Sequence, residues 1–314
     1  MTRISIVLIT LALNLVLVPA PTWAGELQVK EITASSVLRD KEKGITYGPE
    51  QMLDQHSSTM WVEGEGSAGL GTYLSVKFDG EVELKKIRIW AGCFLDKEFW
   101  GRHNRIKAVE IKFPDFTNSG RLELEDKMEP QWLVLPEVKR VSSLKIYIRD
   151  FYKGSTWNDT PITAIQFFDS KGQEGPVEGL SASASSVYTD DYGSYDAQKA
   201  VDGWLDTYWI EGGASGVGEF LDLKLKSQQT LKRFGISVGN GETESFFRGA
   251  NRASSVTLRF SDGSTQSFKL SDKPELQVFE MAQVTTSTIR LTIDKVIQGS
   301  SNNDLYVGEV RFWN

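Results

Sequence analysis

Thr207-Tyr208-Trp209-Ile210-Glu211-Gly212 stands in the second half of this 314-residue chain, and a near-copy, Thr59-Met60-Trp61-Val62-Glu63-Gly64, stands in the first. Glycines follow both, Gly69 and Gly71 after one and Gly216 and Gly218 after the other. An acidic turn precedes each, Leu53-Asp54 and Val201-Asp202-Gly203. An aromatic, a carboxylate and several glycines between strands build a rigid loop that can hold a polar ligand or an ion. The copying extends well beyond this loop. Ala34-Ser35-Ser36-Val37 returns as Ala184-Ser185-Ser186-Val187, Asn104-Arg105 as Asn251-Arg252, and Phe167 as Phe312. Similarity sustained over a whole half marks a duplicated unit.

Each copy reads as β. Tyr73-Leu74-Ser75-Val76-Lys77-Phe78 and Phe220-Leu221-Asp222-Leu223-Lys224-Leu225 alternate apolar and polar residues, as half-buried strands do. Asp262-Gly263 between two such runs is a hairpin signal, and no long stretch carries a helical period. Many short strands and polar turns predict an all-β chain of two tandem β-sandwich jelly rolls. The first is placed at 25–170 and the second at 177–314. The glycine- and proline-bearing segment 171–176 joins them.

Residues 1–24 carry Arg3, an apolar run and small residues Thr22 and Ala24 two apart, the pattern of a cleavable signal peptide. The run is short of the roughly 20 residues that span a bilayer. A protein exported to the periplasm or the medium, with no membrane insertion, is therefore expected. The formal net charge of -7, with no basic block, excludes nucleic acid as the natural partner. Cys93 is the one cysteine and has no partner for an intrachain disulfide; it reads as a small buried hydrophobe. His56 and His103, the two histidines, both fall in the first copy and cannot serve a duplicated active site. No HExxH or GxSxG motif or phosphate-cradling loop surrounds them. A non-catalytic protein is expected.

The ordered set Ala184-Ser185-Ser186, Ala200-Val201-Asp202-Gly203, Thr207 to Gly212, Asn251-Arg252 and Gly308-Glu309-Val310-Arg311-Phe312 resembles the galactose-binding-like jelly roll of discoidin and coagulation-factor type-C domains. Within it, the pattern is most similar to the NADase-type glycan-binding domain. The first copy repeats it less faithfully, and the two together cover nearly the whole mature chain. The resemblance implies a carbohydrate-binding module, with protein-protein interaction or adhesion at the cell envelope as the alternative. The expected partner is a glycan or glycosylated surface, or else a protein. It also implies a structural calcium in the second copy, held by Asp202, Asp206, Thr207 and Glu309. Oxygen donors on a tight acidic loop suit that ion. The first copy keeps Asp54 and Thr59 but has Ser58 and Ala164 at the other two positions, so calcium is expected in the second copy only.

Candidate ligand contacts follow from two aromatic and polar loops, Phe94 to Arg105 and Glu242 to Arg252. Sugar rings stack on aromatics through their C–H faces while amides and guanidinium groups take the hydroxyls. Trp100, Asn104 and Arg105 in the first copy, and Phe247, Asn251 and Arg252 in the second, fit those roles; the alternative is that they fold back to fix the loop. Glu63 and Glu211 either accept sugar hydroxyls or order their own loops. Trp61 and Trp209 are expected to anchor the two cores. Tyr152 and Trp157 belong to a loop at the same end of the first copy, where the second has Val296 and Asn302.

Overall fold

The computed structural model describes residues 25–66, 68–170, 176–213 and 215–314. The expected signal peptide, residues 1–24, and residues 171–175 of the expected linker lie outside the described residues. Each half is a seven-stranded antiparallel sheet folded into a sandwich, with the same strand order in both. In the first half the order runs Trp61–Val62, Pro161–Phe168, Tyr73–Ala91, Gln131–Tyr152, Arg105–Lys112, Asn118–Glu123. In the second it runs Trp209–Ile210, Tyr306–Trp313, Phe220–Val238, Gln277–Ile297, Arg252–Phe260, Thr265–Lys269.

Long strands make the sandwich from one sheet. Tyr73–Ala91 pairs with Val29–Ala34 through its first part and with Pro161–Phe168 through its last. The register against Gln131–Tyr152 shifts between Lys77 and Val82. Such irregularities bend a strand so that its two ends serve different layers. Phe220–Val238 repeats this, with its shift between Lys224 and Gln229. Alternation then fills each core: Leu74, Val76 and Phe78 face Ile146, Ile148 and Phe167 in one cluster, as Leu221, Leu223 and Leu225 face Leu291, Ile293 and Phe312 in the other.

The hairpin at Asp262-Gly263 forms as expected, with Gly263 at φ +85°. Two α-helices interrupt the strands, Lys97–Arg102 and Glu244–Gly249. They begin where Asp96 Oδ1 accepts from the Phe99 N–H at 2.7 Å and Thr243 Oγ1 from the Phe246 N–H at 3.1 Å. Six residues are too few to show a helical period, so apart from the cap residues Asp96 and Thr243 the sequence does not mark these helices. Cys93 is buried and its thiol is pushed up to about 11 by that burial, in keeping with a packing role.

Candidate functional site

The paired signature motifs staple each other. The Trp61 indole N–H donates to the Ser36 carbonyl at 3.0 Å, and the Gly64 N–H donates back to Ser36 Oγ at 3.0 Å. Trp209, Ser186 and Gly212 make the same two bonds at 2.9 Å each. A Cβ on Gly64 or Gly212 would stand 2.7 Å from the carbonyl oxygen of Val37 or Val187, which is why glycine closes the motif. Both tryptophans are 0% exposed. Glu63 and Glu211 are buried as well. Glu63 accepts from the N–H groups of Glu65 and Thr160, and Glu211 from that of Gly213. Burial holds both carboxyls above the usual carboxylate range. They order their loops, and as contacts for a surface ligand they are corrected.

Asn104 and Arg105, with Asn251 and Arg252, are also internal braces rather than contacts. Asn104 donates to the Asn158 carbonyl at 2.8 Å and accepts from the Gly154 N–H at 2.8 Å. Asn251 repeats this with Asn303 and Gly299 at 2.7 and 2.8 Å. Arg105 forks onto Asp126 at 2.9 and 2.7 Å and lies over the Trp100 ring at 4.7 Å. Arg252 reaches Asp272 at 2.7 Å and lies over Phe247 at 5.0 Å. The hydrogen bond from Arg252 holds the Asp272 carboxyl below its usual range. Phe247 is 1% exposed and has no free face for a sugar. Trp100 is half-buried beneath Arg105, and a Cβ on Gly92 would come within 2.9 Å of it. All six fold onto their own module because a loop carrying this many backbone polar groups needs internal partners.

The four proposed calcium donors are each bonded to other partners. Asp202 accepts twice from Thr207 Oγ1 at 2.9 Å and from the Trp204 N–H at 3.0 Å. Asp206 turns to the other module, where Ser57 N–H at 2.8 Å and Ser58 Oγ at 2.7 Å donate to it. Glu309 takes Arg311 Nε at 3.0 Å and the Gly203 N–H at 3.2 Å. Among the described residues no group of three or more His, Cys, Asp or Glu side chains is disposed to hold a metal. The Arg311 guanidinium stands against Glu309, and Asp206 is taken up by Ser57 and Ser58, so the donors as arranged do not fit calcium.

This acidic loop is desolvated. Burial pushes Asp202 up to about 7, with Asp206 adding to the rise, and raises Asp54 and Glu309 also; the Arg311 guanidinium pulls Glu309 the other way. A carboxyl whose folded value exceeds its unfolded one contributes stability that is present in full below the unfolded value and is lost as pH rises through the folded value. The melting temperature is therefore expected to rise by a few degrees between pH 7.5 and 5.5 (about 2–4 °C per kcal/mol). Asp202→Asn should flatten the profile. A melting temperature that falls steadily over that interval contradicts the assignment.

One cluster of aromatics and cations at the loop end of the first module remains partly open. Phe99, Arg102, His103 and Trp157 are all half-buried. The rings of His103 and Trp157 lie 4.6 Å apart, and Phe99 stacks on Trp157 at 5.7 Å and 23°. Arg102 lies 5.5 Å from the Trp157 ring and pairs with Glu98. His103 Nδ1 faces the Phe99 carbonyl at 2.9 Å, and the Trp157 N–H donates to the Arg102 carbonyl at 2.9 Å, which fixes the group. Tyr152 gives its hydroxyl to the Leu124 carbonyl at 3.0 Å and serves the scaffold.

Matching backbone bonds place Phe246, Ala250 and Asn302 at the corresponding points of the second module. The platform is therefore present once. From the sequence Trp157 stands out as a loop aromatic, whereas His103 reads as a lone histidine and Phe99 and Arg102 carry no assigned role. The available signal was the departure from the repeat itself: His103 and Trp157 stand where the sister copy has alanine and asparagine.

Several solved structures are similar in fold. The CBM32-1 and CBM32-2 domains of Clostridium perfringens ZmpB, in complex with GalNAc, share 12% identity over 92% of this chain and 91% of theirs, with a TM-score of 0.37. The family 32 CBM of C. perfringens NanJ, in complex with galactose, shares 15% over 44% of this chain and 93% of its own, at 0.34. An f-lectin from striped bass (Morone saxatilis) serum shares 10% over 90% and 95%, at 0.32. No curated protein matches by sequence. A family model described as the NAD glycohydrolase translocation F5/8 type C domain matches residues 23–168 and again 173–313. The chain belongs to that family and carries its domain twice.

Proposed function

We propose that this chain is an exported, non-catalytic glycan-binding protein whose sugar site lies on the first module alone. The observation that carries this reading is the partly exposed cluster of Trp157, His103, Phe99 and Arg102. A flat aromatic face takes the C–H side of a pyranose, while an imidazole and a guanidinium beside it reach hydroxyls. The same loops elsewhere turn their polar groups inward. The second module has Asn302 and Ala250 at the matching positions and is the scaffold partner.

Binding of the mature chain to a glycan array tests this. Trp157→Ala should lower the signal on every bound glycan by more than tenfold, as loss of an anchoring aromatic does at about 2 kcal/mol or more. The melting temperature should fall by no more than a few degrees, since the ring is partly exposed and lies outside the hydrophobic core. An unchanged signal rejects the platform.

A protein partner is the second reading, and one observation favours it. Tyr192, at the tip of the hairpin formed by Thr189–Asp190 and Gly193–Ser194, is 93% exposed, with Tyr188 partly exposed nearby. Exposed tyrosines supply large contact area at low entropic cost.

A further inference from the structure

The two modules meet through the very loops that precede their signature tryptophans. The Leu205 N–H donates to the Gln55 carbonyl at 3.2 Å, and Asp206 takes its bonds from Ser57 and Ser58. Trp204 inserts between Trp90, at 5.8 Å, and Phe94, at 6.0 Å, with Ala164 in the same buried cluster. Arg311 is the hub. Its Nε bonds Glu309 at 3.0 Å, its Nη2 the Gly203 carbonyl at 2.9 Å, and its Nη1 reaches Gln55 Oε1 of the first module at 2.9 Å.

The copies differ at this junction in complementary ways. Ala164 stands in the first where Glu309 stands in the second, which leaves room for Trp204. Ser58 stands opposite Asp206 where a second aspartate would repel it. Gln166 occupies the position that is Arg311 in the second copy, so the hub is present once. The most telling pair is Gln55 and Gly203. Both hold a left-handed backbone, φ +60° and +93°, which glycine adopts freely and glutamine does not. A strained residue persists where its surroundings over-determine it. Here the side chain that glycine lacks is the one that receives Arg311 across the junction.

We propose that the Arg311 guanidinium takes the place of a divalent cation in the acidic loop of the second module, and by reaching Gln55 locks the two modules into one metal-independent body. A guanidinium offers several fixed donors to a carboxylate and to carbonyls that would otherwise need a metal. The lock does not depend on what the open platform binds. A failure of glycan binding would leave it standing, and the reverse.

Calorimetric melting of the full mature chain, in chelator and in millimolar calcium, tests it. The native chain should melt at the same temperature in both. Arg311→Ala leaves Glu309 and the Gly203 carbonyl without the cation that bonds them. It should melt about 10 °C lower in chelator, as removal of one partner of a buried pair does, and calcium should restore a substantial part of that loss. Arg311→Lys keeps a charge in the loop and covers the case in which the alanine variant does not fold. It should melt below the native chain and be indifferent to calcium. Gln55→Ala, confined to the first module, should lower the melt by less and be equally indifferent. A native chain whose melt moves with calcium or chelator overturns the proposal. So does a folded Arg311→Ala chain that calcium fails to stabilise, or one that melts with the native chain.

Discussion

Trp209→Ala should cost about 3–5 kcal/mol of stability, the range for truncating a fully buried tryptophan. The second module should be lost first on heating. The cavity left by the ring is one part of the cost. The other is the Ser186 carbonyl, which loses its indole donor inside the fold. Trp61→Ala should do the same to the first module through Ser36. Denaturant melts followed by far-ultraviolet circular dichroism measure both. A loss below about 1 kcal/mol at either site would mean that the tryptophan is not the anchor of its core.

Phe247→Ala should be comparably damaging, about 3–5 kcal/mol, and it separates two roles for the same loop. The ring is 1% exposed, lies under Arg252 at 5.0 Å and packs against the backbone at Gly239, where a Cβ would stand 2.7 Å from it. Removing it undoes the platform on which Arg252 rests, and with it the bonds to Asp272 and to the Phe247 and Ala250 carbonyls. A residue that touched ligand from the surface would change binding and leave the melt alone. A chemical denaturation midpoint unmoved by Phe247→Ala would restore it as a contact.

The fold was legible because its signals are local and doubled. Alternation in Tyr73–Phe78 and Phe220–Leu225, the Asp262-Gly263 turn and the repeated tryptophan loop each follow from neighbouring residues. The site was less legible because the direction of a polar loop side chain is decided by distant partners. Glu63 turns inward to meet the Thr160 N–H, and Asn104 to meet Gly154 and Asn158. Arg105 and Arg252 each find a carboxylate that arrives on another loop, Asp126 and Asp272. A sugar-binding loop and a self-bracing loop use the same residue types, and composition does not separate them. The acidic loop is a related case. Its carboxylates match a calcium pattern, while the cation bonded to Glu309 is Arg311, read in sequence as part of the closing strand. Where the copies differ, the sequence was most informative: His103 and Trp157, and the Gln55 and Arg311 pair, are all departures from the repeat.

The proposed sugar platform belongs to the first module alone. Isothermal titration of a glycan selected from the array, into the native chain, Trp157→Ala and Phe246→Ala, tests it most directly. Phe246 is 57% exposed at the matching place on the second module. The expected result is one site per chain, lost or weakened more than tenfold by Trp157→Ala and unaffected by Phe246→Ala. Two equivalent sites, or binding that survives Trp157→Ala and fails with Phe246→Ala, would contradict it.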